Sequence, residues 1–149
     1  MAGRKTRSGK AAMLGIALLA LAGLWLLLRL AVKPHSNVSG GSNAERIEYI
    51  QSFGWETAAV PSEVQEIRIP ARFDEAYEQY NALQKEQGFD LKKYRAAYAF
   101  KYTYKITNYS GADPVVPINA HLIVIDGIIV GADISSAEAN GFVTVLAKK

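Results

Sequence analysis

Two histidines and no cysteine bound the chemistry open to this 149-residue chain. A metal centre needs clustered His, Cys or carboxylate ligands at set spacing, and His35 and His121 stand far apart in the sequence. Nucleophilic catalysis needs a hydroxyl or thiol beside a base. Neither a GxSxG nor an SxxK motif occurs, and the only glycine pair, Gly40-Gly41, sits in a Ser/Asn-rich stretch instead of before a phosphate-binding helix. No catalytic, cofactor-binding or metal-binding residue is therefore expected. Two polar residues remain as site candidates. His121 interrupts an apolar run between Ala120 and Leu122, and Asp133 is an acid within Gly131-Ala132-Asp133-Ile134. Each also fits a strand residue satisfied by one hydrogen bond.

A second candidate is a basic surface. Lys92, Lys93, Arg95, Lys101 and Lys105 interleave with Tyr94, Tyr98, Phe100, Tyr102 and Tyr104. Mixed on one surface, such residues stack and neutralise single-stranded nucleic acid. On a strand, however, alternation sends Lys101 and Lys105 to one face and the aromatics to the other. The expected partner is an anionic wall polymer or an envelope protein, not nucleic acid. Ile128 and Ile129, in a hairpin apolar on both faces, are the other candidate interaction residues; such a strand is either covered twice or left with a patch for a partner.

These residues need elements to hold them. Ser42 and Glu45 have capping-box spacing, Ile47, Ile50 and Phe53 step along one helical face, and Gly54 stops the helix. Glu63 to Ile69 alternates as a strand. Asp74 to Gln87 is a second helix, with Phe73, Ala76, Tyr77, Tyr80 and Leu83 as its expected buried stripe and Gly88 as its stop. In Tyr98 to Thr107 the aromatic face should pack on a helix and the Lys/Thr face should meet solvent. Asp126-Gly127 joins strands Ile118–Ile125 and Ile128–Ile134 in a tight hairpin, and Phe142–Leu146 is a last short strand. The expected fold class is α+β: an antiparallel sheet of three to five strands with two helices, in a helix-on-meander arrangement.

The N-terminus has another character. Ala11 to Leu28 carries no charge, and with Arg29 to Val32 it would span about 27–33 Å as a helix, enough to cross a bilayer. The apolar core is longer than that of a cleaved signal peptide and lacks a good small-x-small site after it. The expectation is one transmembrane signal anchor at 11–32, a basic cytoplasmic tail at 1–10, a flexible linker at 33–43 and an extracytoplasmic domain at 44–149. Charge agrees: six of the 17 basic residues and none of the 14 acids precede residue 44. The rest, 11 basic against 14 acidic, is net −3, which argues against nucleic acid as a default partner. Basic residues before the span favour a cytoplasmic N-terminus in a single-pass cell-membrane protein.

Several stretches carry a resemblance: Phe53-Gly54-Trp55-Glu56, Ile69-Pro70, Phe73-Asp74 through Tyr77, Tyr80-Asn81 and Gly88-Phe89-Asp90-Leu91, Tyr102-x-Tyr104-x-Ile106-x-Asn108-Tyr109, and Gly131-Ala132-Asp133-Ile134 followed by Asn140-Gly141-Phe142. Over residues 44 to 146 the chain resembles an uncharacterised Gram-positive bacterial family of single-span membrane proteins, the domain of unknown function 4830. The resemblance implies one N-terminal span and a small domain, and it transfers no catalytic residue. Together these readings favour a non-enzymatic binding or regulatory module at the cell envelope. Two alternatives stand beside it. An envelope enzyme would require Asp133 and His121 to converge, and a small-ligand sensor would require Tyr77, Tyr80, Tyr102 and Tyr104 to line a pocket.

Overall fold

A computed structural model describes residues 37–110, 115–138 and 141–148, all in the second of two units, His35–Lys149. The expected tail and span at 1–32 lie outside the described residues. No helix among the described residues is long and apolar enough to cross a membrane.

The domain is α+β. In chain order it comprises β1 (Val38–Ser39), α1 (Asn43–Gln51), β2 (Glu63–Arg68), α2 (Glu75–Glu86), a 3-10 turn (Leu91–Tyr94), β3 (Tyr98–Lys105), β4 (Ile118–Ile125), β5 (Ile128–Ser136) and β6 (Val143–Thr144). The antiparallel sheet runs β1-β5-β4-β3-β2, with β6 also on β5. It has six strands, not three to five: the expected last strand is present as β6, and the additional one is β1, whose two residues carry too few side chains to show alternation.

Local signals set the element ends. Ser42 accepts from the Glu45 N–H while the Glu45 carboxylate accepts from the Ser42 N–H, a complete capping box. Asp74 caps α2 by accepting from the Tyr77 N–H at 2.8 Å. At the β4–β5 turn, Asp126 and Gly127 have φ of 47° and 76°, the left-handed pair that a two-residue hairpin requires.

Each sheet face carries a core. On the first face α1 brings Tyr49 and Ile50 against Tyr104, Leu122, Val124, Ile129, Ala132 and Ile134. On the second, α2 and the turn after it bring Tyr77, Tyr80 and Leu91 against Ala99, Ile123 and Val130. The helices thus sit on opposite faces, and the simple helix-on-meander expectation is corrected. The hairpin, apolar on both sides, is covered on both.

Three further expectations change. The linker does not extend to Asn43: Val38 and Ser39 pair with Ile129 and Ile128, and the Gly40 N–H donates to Gly127 O at 2.8 Å. Gly40 permits this close approach, since a Cβ there would lie 2.5 Å from Ile129 Cγ1. Buried Arg46 holds the same segment, donating to the carbonyls of Gly40 at 2.6 Å and Gly41 at 3.1 Å. The buried stripe of α2 is also not apolar: Asn81 and Gln84 are its buried residues, Ala76 is exposed, and Leu83 is half-buried. Finally, β3 does not divide into a buried aromatic face and a solvated Lys/Thr face. Tyr104 and Thr103 are both buried, whereas Tyr98 and Phe100 are exposed.

Polar burial on α2 has a structural use. Between β1 and β6 the outer edge of β5 lacks a strand partner at Ala132. Gln84 Oε1 accepts from the Ala132 N–H at 2.8 Å and Gln87 Nε2 donates to Ala132 O at 2.7 Å. Gln87 Oε1 also accepts from the Leu146 N–H at 2.9 Å. Two glutamines thus substitute for a strand and satisfy groups that are costly to leave unpaired.

Candidate functional site

Strand register assembles the candidate site. Thr103 of β3, His121 of β4 and Asp133 of β5 are cross-strand partners in one row, on the face that also carries α2. Lys101 lies one same-face position to one side of Thr103, opposite Ile123 and Gly131. Lys105 lies one position to the other side, in the row Lys105–Asn119–Ser135. The two site candidates, His121 and Asp133, and the two basic ones, Lys101 and Lys105, therefore share one sheet face, with Asp133 buried in it. Ile128 and Ile129 do not join it. Ile129 is 1% exposed in the first core, which removes it as a surface residue, and Ile128 packs at the apolar end of the second.

Hydroxyl groups hold the row. The His121 ring lies between Thr103 Oγ1, 3.0 Å from Nδ1, and Ser135 Oγ, 2.9 Å from Nε2. Burial, and next the positive charge of Lys101, push the His121 imidazole down to about 4. The ring is therefore neutral at pH 7, with one nitrogen donating and the other accepting. Asp133 is 5% exposed. The Tyr80 hydroxyl on α2 donates to its Oδ2 at 2.7 Å. Burial pushes the Asp133 carboxyl up to about 6, against the smaller opposing effects of the Tyr80 hydrogen bond and of Lys101. Tyr80 itself is held well above its ordinary value by burial and by the adjacent carboxylate.

Neither Lys101 nor Lys105 forms an ion pair within 4 Å among the described residues. Lys105 is exposed and Lys101 half-buried. Among the described residues no group of three or more His and carboxylate side chains could hold a metal ion.

Two other surfaces bear on function. A cleft of about 360 Å³ is lined by Trp55, Asn108, Tyr109, Thr144 and Lys148. Its ring faces are occupied: Trp55 stacks on Tyr109 at 5.5 Å, Tyr109 on Phe142 at 5.7 Å, and Lys148 Nζ lies 4.4 Å over Trp55. On the α1 face, Val64, Tyr98 and Phe100 are 51%, 64% and 47% exposed, an apolar patch beside edge strand β2. The aromatics of the sensor reading do not meet in a pocket, since Tyr77 and Tyr80 belong to one core and Tyr102 and Tyr104 to the other.

Thr103, Ser135 and Tyr80 were not identifiable from sequence as the partners of His121 and Asp133. Hydroxyls are common, and these three reach His121 and Asp133 through strand register and helix placement. The usable signal was alternation: Lys101, Thr103 and Lys105 share a face with every second residue of the neighbouring strands once the Asp126-Gly127 turn fixes the pairing.

A family model for a domain of unknown function, DUF4830, matches residues 49–134, a stretch that contains Lys101, Lys105, His121 and Asp133. No curated protein and no solved structure matches the chain.

Proposed function

The chain belongs to the family of the domain of unknown function DUF4830, and on that premise we propose that it is a membrane-anchored, extracytoplasmic binding module whose polar sheet face takes an extended anionic polymer of the cell envelope. The observation that carries this reading is the placement of Lys101 and Lys105 beside the His121–Asp133 row, on one face and without carboxylate partners among the described residues. Four residues along a strand separate their Cα atoms by about 13 Å. A ligand engaging both carries charge repeated over that length, as a polymer does and a single small anion does not.

A polymer fits this surface better than a protein. Protein interfaces are anchored by buried apolar or aromatic residues. The Lys101–Lys105 end of this face offers the half-buried Asn119, His121 and Ser135 beside its lysines, while the exposed aromatics lie on the opposite face. An enzymatic role for the same cluster is less favoured, although His121 and Asp133 stand side by side as it requires. Both ring nitrogens of His121 are engaged by hydroxyls and its basicity is depressed, which makes it a poor general base near neutrality.

The anchor rests on the apolar run at 11–32. A reporter fused after Lys149 that is active only outside the cytoplasm is expected to be active, and activity of a cytoplasm-only reporter would contradict the orientation. The binding surface is tested on the full chain in non-ionic micelles, with Arg4, Lys5, Arg7 and Lys10 changed to Gln so that the tail does not bind. Dextran sulfate serves as the probe. The pair Lys101→Gln/Lys105→Gln is expected to weaken binding about tenfold or more. The control pair Lys85→Gln/Lys93→Gln, on α2 and the following turn, should leave it unchanged. Equal loss in both pairs, or none in either, would overturn the assignment.

A further inference from the structure

The geometry points to a proton switch inside the polyanion site: Asp133, set between Tyr80 and the Lys101/His121 side of the sheet, opposes the ligand when ionised and admits it when protonated. This inference rests on the polyanion reading above and concerns the regulation of the same surface.

Position is the first support. Asp133 is buried and directly opposite His121. Its hydrogen bond is the one it accepts from Tyr80, and no cation lies within 4 Å of it among the described residues. The charged and titratable groups that face it are Lys101 from β3, His121 from β4, and Tyr80 from α2 with Tyr77 beyond it at a ring separation of 5.9 Å. An ionised Asp133 draws on the Lys101 ammonium and repels a bound polyanion across a poorly solvated face, where Coulombic effects are strong. Neutral Asp133 does neither.

Titration is the second support. Burial raises the Asp133 carboxyl to about 6, and His121, depressed to about 4, stays neutral until well below that. Tyr77 and Tyr80 are raised above the ordinary tyrosine value and stay neutral. Between pH 7.5 and 5 Asp133 is therefore the group of this cluster whose charge changes. The protonated form favours the anion, so affinity rises as pH falls through about 6. By reciprocity the bound polyanion raises the Asp133 pKa further.

The test uses the same tail-neutralised full chain in non-ionic micelles and dextran sulfate, whose sulfate esters keep their charge throughout this range. Wild-type binding is expected to be tighter by about fivefold or more at pH 5.0 than at pH 7.5, the lower end of the usual coupling between two sites. Asp133→Asn, which keeps an acceptor for Tyr80, should bind at both pH values as tightly as wild type does at pH 5.0. As a check free of substitution, the carbon-13 carboxyl signal of Asp133 in the wild type should titrate at higher pH when dextran sulfate is present. A flat wild-type profile, an equal pH slope in Asp133→Asn, or an unmoved Asp133 midpoint overturns the switch while leaving the polyanion reading in place. Absence of binding by both proteins at both pH values overturns the reading as well.

Discussion

At the scale of single residues, Asp133 and His121 pull stability in opposite directions with pH. Asp133 has a folded pKa raised from 3.8 to about 6. Its folded state holds a proton more tightly than its unfolded state, so its effect is most favourable below about pH 4 and is lost as pH rises through 6. His121 is depressed from 6.5 to about 4, so its contribution is intact above 6.5 and is lost as pH falls toward 4. In the wild type the two offset each other between pH 4 and 6. Asp133→Asn removes one side of that balance. It should stabilise the protein by about 3 kcal/mol at pH 7, with the gain shrinking toward zero at pH 4, as read from urea unfolding at each pH. A pH-independent gain would mean that Asp133 carries no raised pKa in the folded state. Sequence alone identified both residues as polar interruptions of apolar strands. It did not identify Tyr80, Thr103 or Ser135 as their partners, because a hydroxyl on another element becomes a partner only through register.

At the scale of elements, polar side chains of the helices complete the backbone pairing of the sheet. Gln84 and Gln87 satisfy Ala132 on the strand edge left open between β1 and β6. Gln84→Ala should cost about 1–3 kcal/mol, the penalty for orphaning a buried N–H, and the Ala132 amide should lose hydrogen-exchange protection before its β4-facing neighbours. Arg46 does the corresponding work for β1. Its guanidinium donates to Gly40 and Gly41, has no carboxylate partner among the described residues, and lies 3.7 Å over the Tyr102 ring. Arg46→Met should release residues 37–41 from the sheet edge, seen as lost protection at the Gly40 amide with the β3–β5 amides unchanged. Elements with local signals were legible: the Ser42–Glu45 box, the Gly88 stop after α2 and the Asp126-Gly127 turn each depend on residues close in sequence. The strand β1 was not, since a Gly/Ser-rich stretch looks like a tether until the distant strand β5 pairs with it. The stripe of α2 was misjudged for a related reason, because Asn81 and Gln84 are buried to serve backbone groups, which hydrophobic periodicity does not register.

At the scale of the whole chain, charge separates two tasks. Six basic residues precede residue 44, where a membrane anchor is proposed, and the remainder is net −3. On that acidic background Lys101 and Lys105, neither in an ion pair among the described residues, share one sheet face, opposite the exposed Tyr98 and Phe100. The binding claim is therefore a claim about place, and amine-reactive footprinting read by mass spectrometry tests it most directly. With dextran sulfate added to the tail-neutralised full chain, acetylation of Lys101 and Lys105 should slow markedly, while Lys85, Lys93 and Lys148 keep their rates. Protection spread evenly over all lysines, or centred on Lys93 or Lys148, would contradict the assignment of this sheet face as the polyanion site.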